Sequence, residues 1–198
     1  MSTLADTPFV KQEESPARNL IMPGEHHVSW APAEISTLLG SCVSACLWDR
    51  RHQIGGMNHI MLPDAPVQSG ELGERTKSLR YGLYAMERLI NDLLVMGAKR
   101  EDLTAKVFGG ANISGALTAQ HVGQRNVDFV LEFLRKDQIK LLASDIGGTQ
   151  SRRIRFNTYT NEVRVERTVS VNSIALAQEQ RHSKKINDDP VTGDIVFF

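Results

Sequence analysis

Apolar and small residues run almost unbroken from Ser41 to Trp48, and again from Ile54 to Leu62 after the polar turn Asp49-Arg50-Arg51-His52. Two such runs separated by a short turn predict a buried strand hairpin, closed here by Pro63-Asp64. Residues 64–74, rich in Gly, Pro and Ser, read as a loop. Leu79, Leu83, Met86, Ile90, Leu93 and Leu94 then recur at helical spacing, and Gly97 supplies a left-handed C-cap. Ala105–Phe108 is a short strand running into Gly109-Gly110. A second helix spans about Gly123 to Lys136, with Val127, Val130, Leu131 and Leu134 on its apolar face. Ile139–Ala143 is a strand running into Gly147-Gly148, and a last hairpin joins Arg153–Thr158 to Val163–Val169 through Thr160-Asn161-Glu162. Strand pairs, two helices and several glycine corners, with no internal repeat, predict an α+β domain with helices packed on a sheet.

The pattern fades at both ends. Residues 1–18 are polar and mixed in charge and read as a flexible arm. The domain spans 19–172. From Ser173 the chain is polar again, through Gln178-Glu179-Gln180-Arg181-His182-Ser183-Lys184-Lys185. Residues 173–198 read as a solvated tail that can be helical at its start, with an unusually apolar end at Ile195-Val196-Phe197-Phe198. Composition narrows the function classes. With 198 residues, 41% hydrophobic and 23% charged, the chain is long enough for a core without disulfide or metal staples. Its 23 basic and 23 acidic residues cancel, so electrostatics favour neither nucleic acid nor an anionic membrane. No apolar run approaches the length of a membrane span, and the N-terminus has no signal-peptide pattern. Two cysteines, Cys42 and Cys46, make no disulfide framework, and a cytoplasmic location that keeps both reduced is expected.

Two segments carry candidate chemistry. In Leu39-Gly40-Ser41-Cys42-Val43 the small residues let the backbone turn tightly before a cysteine, leaving a thiol beside backbone N–H groups that can hold an oxyanion. A cysteine opening an apolar strand also serves simply as packing. In Gly55-Gly56-Met57-Asn58-His59-Ile60-Met61-Leu62-Pro63 an imidazole lies among apolar residues, where its ring nitrogens need partners. A hairpin centred near Arg50-Arg51 sets Cys42 opposite a position close to 59, the geometry of a nucleophile and its general base. Ser36 and Thr37 are the hydroxyls that could orient the imidazole; Asn58 points to the opposite strand face. Cys46 shares a face with Cys42 but makes a poor metal clamp with it, and the remaining histidines, at 26, 27, 52, 121 and 182, are scattered, so no metal site is expected. The glycine pairs fit no phosphate loop and suit positive φ at strand ends. The run Ser151-Arg152-Arg153-Ile154-Arg155 alternates as a solvated strand face would.

With these residues in place, Leu38-Leu39-Gly40-Ser41-Cys42-Val43 followed by Gly55–Pro63 resembles the CheD family of chemoreceptor glutamine deamidases. Lys106-Val107-Phe108-Gly109-Gly110-Ala111, Gly123-Gln124-Arg125-Asn126 and Asp145-Ile146-Gly147-Gly148 agree in order and spacing over about residues 20–170. The resemblance implies a layered sandwich of mixed β-sheet and helices. It also implies protein-glutamine glutaminase activity: glutamine side chains of methyl-accepting chemotaxis receptors become glutamate, with release of ammonia and without metal or cofactor. It implies a CheC-type phosphatase as a partner of some members; a monomer is expected. It assigns the nucleophile to Cys42, the histidine to His59, and a third, hydroxyl-bearing position to Ser36 by ungapped counting, with Thr37 one residue later. Two other readings stay open: a binding protein that docks on receptors, and a different thiol enzyme such as a transglutaminase or peptidase.

Overall fold

A computed structural model describes residues 17–62, 72–113, 117–168 and 171–188. Its strands are β1 (Ala17–Leu20), β2 (His26–Ser29), β3 (Ala33–Leu39), β4 (Val43–Asp49), β5 (Ile54–Asn58), β6 (Leu103–Gly109), β7 (Lys140–Ile146), β8 (Ser151–Asn157) and β9 (Val163–Thr168). The helices are α1 (Leu72–Val95), α2 (Leu117–Lys136) and α3 (Asn172–Asp188). There are two sheets where one was expected: β1-β3-β8-β9, and β2-β5-β4-β6-β7. The fold is α+β and layered, as predicted, with β4 at its centre.

The composition of β4 explains the layering. Val43, Ala45 and Leu47 point to one face and pack with Met86, Leu89, Ile90 and Leu93 of α1 and Val127, Val130 and Leu134 of α2. Cys42 and Cys46 belong to the other face and meet Ile35 and Leu39 of β3 and Ile154 and Phe156 of β8. A strand covered on both faces reads as a continuous apolar run, because alternation then separates two cores instead of core from water. The hairpin β4–β5 is antiparallel with Cys46 paired to Met57, β4 also pairs antiparallel with β6, and β6 runs parallel to β7 across the α2 crossover.

Several expectations shift. Helix α1 buries Met86, Ile90 and Leu93, but Leu79 and Leu83 are exposed. At that end the inward stripe is Ser78, Gly82 and Ala85, and Gly82 lies against Leu62 and Phe129, so small residues with no hydrophobic signal make the contact. Helix α2 begins at Leu117, earlier than Gly123. Arg152 is not solvated: with Ile154 and Phe156 it lies on the inward face of β8 and is buried. It donates to the Asp145 carboxylate and to the carbonyls of Asp145 and Gly147, which offsets the cost of burying its charge. The polar segment after Ser173 is not a free tail either. It forms α3, whose Ala175 and Glu179 are buried against the domain. Residues 1–16 and the apolar end Ile195–Phe198 lie outside the described residues.

The expected positive φ at the glycine corners is present: Gly109 has φ 113° and Gly110 has φ 72°. Gly109 is also sterically obliged, because a Cβ there would sit 2.1 Å from the Cys42 carbonyl oxygen. Gly147, at φ 73°, has open space around the same position. Gly109→Ala is therefore expected to cost more than about 2 kcal/mol, and Gly147→Ala only about 1 kcal/mol of backbone strain. Urea unfolding midpoints of the two variants check this; equal losses would remove the steric argument.

Candidate active site

The segment Gly40-Ser41-Cys42 carries the chain from β3 in one sheet to β4 in the other. A connection that crosses between layers must satisfy its polar backbone atoms outside any ladder. All three of its carbonyls are taken from one side. Ala111 N–H donates to Gly40 O at 2.7 Å, the Asn126 side-chain amide to Ser41 O at 2.9 Å, and Gly110 N–H to Cys42 O at 2.8 Å. Asn126 also accepts from Leu62 N–H at 3.0 Å, tying the cysteine segment to the chain beyond β5. The Cys42 N–H points the other way, and its acceptor is Glu179 of α3, at 3.1 Å.

His59 follows β5 directly. Its backbone pairs with the turn before β2, His59 N–H donating to Glu25 O and Gly24 N–H to His59 O. On the β4 side, Val43 and Ile60 exchange both backbone bonds, at 2.9 and 2.7 Å. One step inward the ladder is replaced by side chains: Ala45 N–H donates to Asn58 Oδ1, and Ser44 Oγ donates to Asn58 O. The Val43–Ile60 register sets Cys42 opposite Met61 and makes His59 its diagonal neighbour on the same face, a separation that side chains of this size span. The register thus sets Cys42 and His59 on one sheet face, and among the described residues no hydrogen bond joins their side chains. Asn58 lies on the other face, where its amide meets Ala85 O and Met86 Sδ of α1.

The orienting hydroxyl corrects the expectation. Ser36 does not reach the imidazole. It lies on the outer face of β3, half-buried, with its Oγ 3.5 Å from Asn19 O. Thr37 faces inward, and its Oγ1 is 2.7 Å from His59 Nδ1 and 2.8 Å from Ile21 O. The difference is one of strand face, since a single residue reverses a side chain's direction. Ala33-Glu34-Ile35-Ser36-Thr37-Leu38-Leu39 carries the signal: Ile35, Thr37 and Leu39 share the buried face, and Glu34 and Ser36 the outer one. A carbonyl cannot donate, so the single Thr37 proton goes to Ile21 O, and Thr37 accepts from Nδ1–H. That fixes the neutral imidazole with its Nε2 lone pair free, and Nε2 is buried with no hydrogen-bond partner among the described residues.

Two further residues escaped the sequence reading. Glu179 accepts from Ser41 Oγ at 2.8 Å as well as from Cys42 N–H. His182, one of the scattered histidines, pairs through Nε2 with the Tyr81 hydroxyl at 3.1 Å. Burial and then His182 push the His59 imidazole down to about 3, so it is a neutral base. Burial, reinforced by Glu179, pushes the Cys42 thiol up. In this arrangement thiol and imidazole are both uncharged. As for metal ligands, one group of three lies close together among the described residues, Asp49, His52 and Asp102. It is at the far end of β4, and the Asp49 carboxylate there already accepts from the backbone N–H groups of Arg51, His52 and Lys99 and from the His52 ring.

The comparisons with known proteins bear on this site. The family model described as CheD chemotactic sensory transduction matches residues 61–167. A probable chemoreceptor glutamine deamidase CheD of Thiobacillus denitrificans is 43% identical over 179 residues, covering 90% of this chain and 88% of that protein. The proteins of the same name from Herminiimonas arsenicoxydans (42%) and, as CheD 1, Shewanella oneidensis (41%) also match over 90% of the chain, covering 87% and 86% of their own lengths. The chain belongs to the CheD family. The family model begins just past His59, but a match over 90% of the chain takes in residues 37–59 wherever its ends lie. In this CheD chain the Thr37–His59 bond is open to direct measurement. Nitrogen-15 NMR of the imidazole is expected to report the Nδ1–H tautomer, Thr37→Val to mix the tautomers, and Ser36→Ala to leave the spectrum unchanged. A spectrum insensitive to Thr37→Val would remove Thr37 from the site.

Proposed function

We propose that this CheD chain is a cysteine-dependent deamidase that converts glutamine side chains of methyl-accepting chemotaxis receptors to glutamate, with Cys42 as nucleophile, His59 as base and Thr37 as the residue that positions His59. The observation that carries the reading is the buried imidazole diagonal to Cys42, its Nδ1 tied to Thr37 and its Nε2 lone pair unclaimed. The names of the relatives supply the substrate class. The reading extends to a cytoplasmic monomer, with a CheC-type phosphatase as partner.

His59 Nε2 takes the thiol proton, and the sulfur attacks the glutamine Cδ. Negative charge collects on the amide oxygen, where the outward-pointing Cys42 N–H is placed to receive it. His59 returns the proton to the departing ammonia. Water, deprotonated by the same imidazole, then splits the thioester, releasing glutamate and restoring the thiol. The hydroxyl of Thr37 holds the ring through both half-reactions and supports the positive charge it acquires.

Mass spectrometry of receptor peptides incubated with the purified chain is expected to find specific glutamines converted to glutamate. Cys42→Ala and His59→Ala should each slow conversion by at least about a hundredfold, and Thr37→Val by roughly tenfold with the fold intact. Conversion undiminished by Cys42→Ala would end the proposal. The receptor-binding reading draws on one observation, that Cys42 is 0% and His59 1% exposed. Receptor capture with no mass change would favour it, and incorporation of an added amine would indicate a transglutaminase.

A further inference from the structure

The chain's own third helix bonds to the Cys42 segment through Glu179. We propose that α3 is a product-mimicking cover: Glu179 occupies the slot for the substrate's glutamine side chain, and the site opens only when α3 lifts. This rests on the reading of Cys42 and His59 as a glutamine deamidase site.

The carboxylate is where a reacting amide belongs. Glu179 Oε1 accepts from Cys42 N–H and Oε2 from Ser41 Oγ. Glutamate is what deamidation of glutamine leaves behind, with a carboxylate oxygen in place of the amide nitrogen. The slot is shaped for such a group by the lack of a side chain at Gly40, where a Cβ would stand 2.7 Å from Glu179 Oε1 and 2.5 Å from Ile113. Cys42 is buried at the same point where its N–H has no acceptor from the surrounding loop, so α3 supplies both the bond and the cover.

The way α3 is attached fits an element that leaves. Its inward stripe is Ala175, Glu179 and His182, at helical spacing, with Ala175 the one fully buried apolar residue among those described and Ile174 exposed. Helix α1, by contrast, buries Met86, Leu89, Ile90 and Leu93. The other anchors of α3 are polar: Asn172 Oδ1 accepts from Ser151 N–H at 2.9 Å, and His182 meets Tyr81. Elements with few buried apolar contacts open at low free energy. A short connection from β9 keeps the local concentration of Glu179 high, so a weak contact still fills the slot. The partner that displaces it must present the same group in the same way, a glutamine projecting from a helix.

Two substitutions in the full-length protein test this. With iodoacetamide as probe, Glu179→Ala is expected to raise the rate of Cys42 alkylation about tenfold or more, while Cys46, buried between the sheets, stays protected. Removing Glu179 takes away a negative charge that opposes thiolate formation, so the pH midpoint of alkylation should move downward, with Tyr81 the other titratable group that interacts with the thiol. An unchanged Cys42 rate overturns the proposal, as does a parallel rise at Cys46, which would make Glu179 a support of the fold. Glu179→Gln places a substrate-like amide in the slot. Cys42 is expected to attack its Cδ, the C–N bond to break with ammonia taking a proton from His59, and water to hydrolyse the thioester. Peptide mass spectrometry then finds glutamate at position 179, but glutamine when Cys42→Ala is added. Retained glutamine in a preparation that deamidates receptor refutes the product-like pose. Faster alkylation without any deamidation, either at position 179 or on receptor, upholds the cover and refutes the deamidase reading instead.

Discussion

Three carbonyl oxygens, those of Gly40, Ser41 and Cys42, are pulled to one side by Ala111, Asn126 and Gly110, and this leaves the Cys42 N–H turned outward beside its own thiol. Neither sheet alone could hold the segment, because it lies between them. The corner after β6 and a side chain of α2 do so, which is why a left-handed glycine and a fully buried asparagine stand there. The close approach of Gly109 to the Cys42 carbonyl makes that corner and the Cys42 segment one mechanical unit.

The same layering orients His59. His59 comes from the chain end of β5 in the five-stranded sheet and Thr37 from the four-stranded one, so their bond spans the inter-sheet core. A close-packed interior resists sliding of its layers. The ring orientation is thus set by the packing of Ile35, Leu39, Met57, Ile154 and Phe156 as much as by the hydroxyl itself. The insertion of the Asn58 side chain into the ladder next to His59 adds a local opening that regular pairing would not permit.

Much of this was legible in the chain. The strand hairpin, the α1 and α2 faces at Met86, Ile90, Val127 and Val130, the Gly97 C-cap and the placement of Cys42 and His59 on one sheet face follow from local pattern. What was not legible depended on partners far away in sequence. The split into two sheets hides because β4, covered on both sides, shows no alternation. Arg152 looked solvated because its acceptors come from the end of β7. Glu179 looked like part of a polar tail because its donors are about 137 residues earlier. The choice of Ser36 over Thr37 is the exception: the alternation of β3 already separated the two faces.

Burial of Cys42 also bears on its durability. Peroxides and other oxidants react with exposed thiolates, and progress beyond the sulfenic acid destroys a nucleophile. Here Cys42 is fully buried, burial and Glu179 push its thiol up, and its N–H is bonded to Glu179 of α3. On the proposed reading of α3 as a cover, the same helix would also shield this sulfur from oxidants, with exposure confined to the intervals in which the helix is lifted.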